Sequence, residues 1–234
     1  MSAEAPTDGN AETIRTDRTG FLAAGALPAG LVEEGHVDIL DMAAQCFMTR
    51  GFASTSIDDV ARRLGSTKGR IYHFFASKAD LFFAVAEVGM QFNYAAIDES
   101  LKSGAPAVER LTDMAFAHCL SMIETQPYQH SVWQGVEIHL RGSTTPEQRE
   151  RLNALIVSRD HYSELFRRVM EEAAADGAIR YDDLGIARQL MFMTLNSPIF
   201  WYKPRPGETA EDRRKIARQC TDFVLAGLHA GSRT

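Results

Sequence analysis

The sequence predicts an all-α chain on three grounds. Apolar residues recur at three- and four-residue intervals through most of its length, capping residues and glycines punctuate these stretches, and no segment shows the alternating β-branched pattern of a sheet. From His36 the apolar positions Val37, Ile39, Leu40, Ala43, Ala44, Phe47 and Met48 form one stripe that stops at Arg50-Gly51, which defines the first helix. Thr55-Ser56 supplies N-cap oxygens for a second helix over Ile57–Leu64. Asp58 and Asp59 sit in its first turn, where the helix dipole favours anions, and Gly65 ends it. A very short helix follows over about 67–74, and Ser77 caps a longer one from 78 to about 101 whose first half carries Leu81, Phe82 and Val85. Beyond a linker at Ser103-Gly104-Ala105-Pro106, helices are expected at 108–124, about 131–141, 146–175, 184–202 and 209–228, with Pro198 kinking the 184–202 helix. The chain thus divides into a small domain to residue 80 and a larger helical domain, 81–234, sharing the helix that begins at Lys78.

The 234 residues are 45% apolar, 9% aromatic and 24% charged, which excludes collagen-like, disulfide-knotted and fully disordered chains. Residues 1–32 stand apart, rich in Ala, Gly, Thr and Asp and without a helical period, and are read as a flexible arm. The arm's apolar end, 21–32, is too short for a membrane span of about 20 residues, and Glu4, Asp8, Glu12 and Asp17 precede it where a secretory leader would be basic. Cys46, Cys119 and Cys220 fall in no metal-binding spacing and, being few and odd in number, fit reduced thiols. The expectation is a cytoplasmic protein without membrane contact.

Lys and Arg number 25 against 31 Asp and Glu, so the net charge is -6 and any nucleic-acid site must be a local patch. Such a patch exists. Between Arg62 and Ala79 lie Arg62, Arg63, Lys68, Arg70 and Lys78 and no acidic residue. The 57–64 helix, the Gly65-Ser66 turn and the short basic helix after it have the shape of a helix-turn-helix, whose second helix rises about 10–12 Å and can lie in a major groove.

The run TSIDDVARRLGSTKGRIYHFFASKADL, residues 55–81, resembles the DNA-binding domain of the TetR family of transcriptional regulators. Its specific part is GSTKGRIYHFFASKADL, with ILDMAAQCFMTRGF upstream at 39–52 and an all-helical remainder. The resemblance implies a three-helix DNA-binding domain over 33–80 and a ligand-binding and dimerisation domain over 81–234. It implies base-edge and phosphate contacts from Thr67, Lys68, Arg70 and His73, with Gly69 removing bulk where the helix meets the duplex. Tyr72, Lys78 and Ser56 suit phosphate anchoring beside free N–H groups at helix starts. Arg70 stands where the family commonly has a small Ser or Thr, and Phe74 where His or Tyr is common.

A dimer is implied as well, because two recognition helices must reach major grooves about 34 Å apart, and helices 151–175 and 184–202 would form its interface. The stretch LNSPIFWYKPRPGETAEDRRKIARQCTDFVLAGL, 195–228, resembles the end of a subset of the family that includes repressors of steroid and fatty-acid catabolism, several of which sense acyl-CoA thioesters. The expected effector is therefore a small apolar acid or its CoA thioester. Phe116, Trp133, Phe166 and Trp201 are expected to line its pocket, and Lys203, Arg205 or Arg159 to meet its anionic groups. The implied function is a ligand-released repressor acting on a palindromic operator.

Two other functional classes fit the sequence less well. A helical enzyme is disfavoured because no Gly-rich phosphate loop, His-Glu-x-x-His or Gly-x-Ser-x-Gly motif occurs, and Asp58-Asp59 and Asp182-Asp183 are explained by helix starts. For a metal sensor, His118, His130, His139 and His161 follow one another at intervals of 12, 9 and 22, none the three or four of a helical metal motif. No cofactor is expected.

Overall fold

In a computed structural model the described residues, 36–229, form ten α-helices and no strand. The expected arm, 1–32, lies outside the described residues. The small domain is α1 (Val37–Ser54), α2 (Ile57–Leu64) and α3 (Lys68–Phe74), followed by α4 (Lys78–Lys102), α5 (Ala107–Glu124), α6 (Gln126–Arg141), α7 (Pro146–Ala175), α8 (Leu184–Asn196), α9 (Pro198–Trp201) and α10 (Ala210–His229).

Local chemistry explains most boundaries. Ser56, Thr67, Ser77, Thr145 and Asp183 each accept a backbone N–H from three residues on, satisfying a donor that has no partner within its helix. Gly51 interrupts α1 at φ 77°, a left-handed conformation open to glycine, and the last turn, Phe52–Ser54, leaves at a new angle. Two boundaries differ from expectation by five residues or more. Helix α6 begins at Gln126, five residues early, because Pro127 stands in its first turn, where a missing N–H costs nothing. The expected 184–202 helix ends at Asn196, and Pro198 starts the separate short α9. Three carbonyls at this corner, of Pro198, Ile199 and Tyr202, face the Gln126 amide, whose Nε2 lies 3.4, 3.4 and 3.0 Å away.

Two apolar cores meet along α4. Leu81, Phe82, Val85 and Val88 pack with Ile39, Phe47, Val60 and Ile71 of the small domain, while Ala86, Met90 and Ile97 face Leu111, Met114, Phe166 and Met170. Helix α7 turns Leu152, Leu155, Tyr162, Phe166, Val169 and Met170 inward. Its apolar face is therefore buried within the single chain. The exposed apolar stripe lies instead on α8 and α10, with Ile186 62%, Leu190 62%, Met193 49% and Phe223 72% exposed. Among the described residues no helix is long and apolar enough to cross a membrane.

Candidate functional site

The first site is built on α2 and α3. Ser56 Oγ accepts the Asp59 N–H at 3.1 Å and Asp59 Oδ2 accepts the Ser56 N–H at 3.0 Å, a reciprocal cap that fixes where α2 starts. Hydrogen bonding from Ser56 lowers the Asp59 carboxyl to about 2, so the cap stays ionised. Gly65, at φ 67°, turns the chain back sharply enough for the Ser66 N–H to reach Ala61 O at 2.9 Å. Thr67 Oγ1 then accepts the Arg70 N–H at 3.3 Å and starts α3. Ile71, fully buried, seats α3 in the core, and Lys68, Gly69, Tyr72 and His73 are left exposed.

Ser56, Lys68, Tyr72 and Lys78 line one shallow concavity. Within it Lys68 Nζ lies 2.6 Å from Asp58 Oδ2. Lys78 Nζ donates to Phe52 O at 2.8 Å and Ala53 O at 3.2 Å and stands 4.5 Å from the Phe52 ring centroid. Its expected role as a phosphate ligand is therefore joined by a structural one. Two of its three N–H groups close the end of α1, and partial burial lowers its pKa. Arg70 is turned toward α1, where Asp38 holds its guanidinium. A Cβ on Gly69 would meet only Thr67 Oγ1, at 3.8 Å, so the chain itself leaves room there.

The second site is a cavity of about 380 Å³ enclosed by α4 to α9. Its floor is buried and polar, with Asn93, His118, Gln129 and Tyr162, and its rim carries Arg159, Asp160, Arg188 and Gln189. Of the expected ligand residues, Trp133 and Arg159 line it. Phe166 sits one layer behind, with its ring centroid 5.0 Å from Phe192 and 5.9 Å from His118. Phe116, Trp201 and Lys203 do not line it. Phe116 is two residues from His118 and so faces the far side of α5, under Arg214 and Arg218 of α10. Trp201 and Lys203 are exposed beyond the early end of α8, where Trp201 Nε1 donates to Ser197 Oγ at 3.1 Å. Sequence reasoning missed Asn93, Gln129, Tyr162, Arg188 and Asn196, which come from four helices, α4, α6, α7 and α8.

Arg159 makes no hydrogen bond or ion pair with any described residue, and burial pulls its pKa below the usual value against the weaker, longer-range field of Asp160. Arg188 has a long contact, 3.8 Å, with Glu164. His118 is fully enclosed between Tyr162 Oη at 2.8 Å and Asn196 Oδ1 at 2.8 Å, and burial drives its pKa down to about 4. It is neutral at physiological pH. Among the described residues no three His, Cys, Asp or Glu side chains are grouped to hold a metal.

Residues 39–85 match the family described as bacterial regulatory proteins, tetR family, and residues 104–228 match the tetracyclin repressor-like C-terminal domain. The chain belongs to the TetR family. It is a ligand-responsive transcriptional regulator and not an enzyme. The HTH-type transcriptional repressor KstR2 of Rhodococcus jostii is 26% identical over 197 residues, covering 82% of this chain and 90% of that protein. The TetR-family regulator PfmR of Thermus thermophilus superposes with a TM-score of 0.66 at 29% identity, covering 82% and 98%. The structure of AibR in complex with isovaleryl coenzyme A and operator DNA does so at 0.64 and 24%, covering 83% and 98%.

In this TetR-family chain α6 ties the cavity to α1 of the small domain. One face carries Gln129, Val132 and Trp133 into the cavity. The other grips α1: Tyr128 Oη donates to Asp41 Oδ1 at 2.5 Å, Gln134 Nε2 donates to Phe47 O at 2.9 Å, and Gln134 Oε1 accepts the Phe52 N–H at 2.8 Å. Two glycines let α6 lie close to its neighbours. A Cβ on Gly89 would stand 2.8 Å from Val132 Cγ2, and one on Gly135 would stand 2.5 Å from Leu155 Cδ2.

Proposed function

We propose that the protein is a homodimeric repressor that holds a palindromic operator with α3 of each subunit and lets go when an apolar acid, supplied as its CoA thioester, enters the cavity. The observation that carries the effector class is Arg159, a half-buried guanidinium on the cavity wall with no counter-charge bonded to it among the described residues. Leaving a desolvated cation unpaired is costly, and an anionic ligand group removes that cost. At about 380 Å³ the cavity is near the lower end of ligand pockets, so it suits the acyl part while the larger, charged remainder stays at the rim near Arg159 and Arg188.

On the DNA side, Ser56, Tyr72 and Lys78 meet operator phosphates, and Thr67, Lys68, Gly69, Arg70 and His73 face the groove. Dimerisation uses the exposed Ile186, Leu190, Met193 and Phe223 stripe of α8 and α10. Release follows because α4 carries Lys78 at the first site and Asn93 in the cavity while α6 ties the cavity to α1, so a ligand that binds better to one spacing of the two heads shifts the population toward it. AibR, whose structure holds both isovaleryl coenzyme A and operator DNA, supports an acyl-CoA and an operator as the two ligands.

The test is binding of the purified protein to a fluorescent duplex from its own upstream region at two salt concentrations, with and without a mixed acyl-CoA pool. Salt-steep binding released by the pool is expected. Binding that no acyl-CoA disturbs would overturn the effector class and leave the DNA reading standing. Failure to bind any duplex at low salt would overturn both.

A further inference from the structure

The floor of the cavity is more polar than an alkyl chain needs, and most of its hydrogen-bonding capacity is spent within the protein. Gln129 is fully engaged, with Nε2 donating to Gly89 O at 3.1 Å and Thr125 Oγ1 at 2.9 Å, and Oε1 accepting from Asn93 Nδ2 at 3.1 Å. The opposite side is a relay of three helices. Asn196 Oδ1 can only accept, so His118 Nε2 carries the proton at that 2.8 Å contact. His118 is neutral, so its Nδ1 accepts, and the Tyr162 hydroxyl donates to it at 2.8 Å. Every member of the relay is thereby oriented, and the Asn196 Nδ2 group, with two hydrogens and no acceptor among the described residues, is left at the cavity. Preorganised donors of this kind discriminate strongly, because a ligand without the matching oxygen leaves them unpaired.

We propose that the part of the effector entering the cavity carries a neutral oxygen, a ketone or hydroxyl, that accepts a hydrogen bond from Asn196 Nδ2, with His118 and Tyr162 as positioning residues. This rests on the reading of the cavity as the effector site and adds the chemistry of its buried end. A purely hydrocarbon acyl group fits the volume but strands the amide.

The probes are decanoyl-CoA and its oxo derivatives with the ketone at carbon 3, 5, 7 or 9, with dissociation constants measured on the full-length protein by calorimetry. At least one ketone isomer is expected to bind ten-fold or more tighter than decanoyl-CoA. In Asn196→Leu that advantage should shrink to two-fold or less, with decanoyl-CoA bound more tightly than by the natural protein because no amide is left stranded. Asn196→Asp, which still accepts from His118 and has no hydrogen to donate, is the second variant should Asn196→Leu fail to fold, and the same loss is expected. In Tyr162→Phe the ketone-to-alkyl ratio should fall part-way, a readout that a packing role alone would not move. Equal binding of decanoyl-CoA and all four ketones by the natural protein would overturn the polar subsite and leave the acyl-CoA reading intact. No binding of any of the five would overturn both.

Discussion

Arg70 of α3 and Asp38 of α1 form a two-pronged ion pair, Nη1 to Oδ2 at 2.8 Å and Nη2 to Oδ1 at 2.9 Å. The pair bridges 32 residues of sequence and occupies the terminal fork of the guanidinium, the part that would read a guanine edge. Both side chains are substantially exposed, so the pair contributes about 0–1 kcal/mol and a phosphate or base can outcompete it. Removing the carboxylate with Asp38→Ala is expected to tighten binding to random duplex several-fold and to reduce discrimination between operator and random sequence. Anisotropy titrations with both duplexes check this. Unchanged affinity for both would show that Asp38 does not oppose DNA binding.

Lys78 serves α1 and the expected phosphate at once, so Lys78→Met should do two things. It should lower the melting temperature by unseating the carbonyls of Phe52 and Ala53, and it should reduce the salt dependence of DNA binding by close to one counterion, a slope change of about 0.9. Tyr72→Phe, at an exposed position, should weaken all duplexes alike while the melting temperature holds. A melting-temperature loss in Lys78→Met with an unchanged salt slope would leave Lys78 a purely structural residue.

The α8 and α10 stripe predicts an assembly defect. Leu190→Glu and Phe223→Glu change side chains already exposed in the single chain, so helical content should be kept while sedimentation shows a monomer. Operator affinity should then fall on the order of 100-fold, because the second half-site no longer gains from the first. A dimer that survives both substitutions would place the interface elsewhere.

Arg159→Gln should separate stability from response. Removing a desolvated cation that has no bonded partner is expected to leave the melting temperature unchanged or higher, while acyl-CoA affinity drops ten-fold or more, as expected for loss of a charged hydrogen bond worth about 1.5–3 kcal/mol. Phe116→Leu, on the far side of α5, should leave that affinity unchanged. The reverse pattern would move the ligand from the cavity to the α5 and α10 face.

Asp41 predicts a pH dependence of defined sign. Burial raises its carboxyl to about 6 from the ordinary 3.8, against the opposing hydrogen bond from Tyr128. A folded-state pKa raised in this way gives stability that is complete below 3.8 and is lost as pH rises through 6. Asp41→Asn keeps an acceptor for Tyr128 and should match the natural protein near pH 4, then exceed it in melting temperature by a margin that grows to a plateau above pH 7. Each unit of displacement corresponds to about 1.4 kcal/mol. A margin independent of pH would mean that Asp41 titrates normally.

Features whose causes lie within four residues were legible in the sequence. Ser56, Gly65 and Ser77 mark helix ends through side-chain oxygens and a left-handed turn, and the α2 and α7 boundaries were read to the residue. The start of α6 was not, because Thr125 makes no side-chain cap and Pro127 resembles a break as much as a first turn. The candidate DNA-binding residues follow one another along the chain, so their grouping on one surface could be anticipated. The cavity could not be treated that way. Tyr162 and Asn196 lie 44 and 78 residues from His118, and the three meet only through the packing of α5, α7 and α8. Phe116 shows the same limit from the other side, since aromatic character says nothing about which flank of α5 faces the void. The pairing of Arg70 with Asp38 and the double duty of Lys78 also carry no local signal.

The grip of α6 on α1 has a consequence for how the protein is made. Tyr128 reaches Asp41 across 87 residues, and Gln134 reaches Phe47 and Phe52 across 87 and 82. When the first 80 residues have left the ribosome, the carboxyl of Asp41 and the backbone groups of Phe47 and Phe52 still await partners that synthesis has not yet reached. At about 5–20 residues per second, α6 arrives seconds later. The boundary expected near residue 80 is therefore crossed by hydrogen bonds that the first 80 residues cannot make alone. The rear of the small domain, at α1, is closed by a strut from the larger one, and a nascent chain lacks these three hydrogen bonds until α6 has been translated.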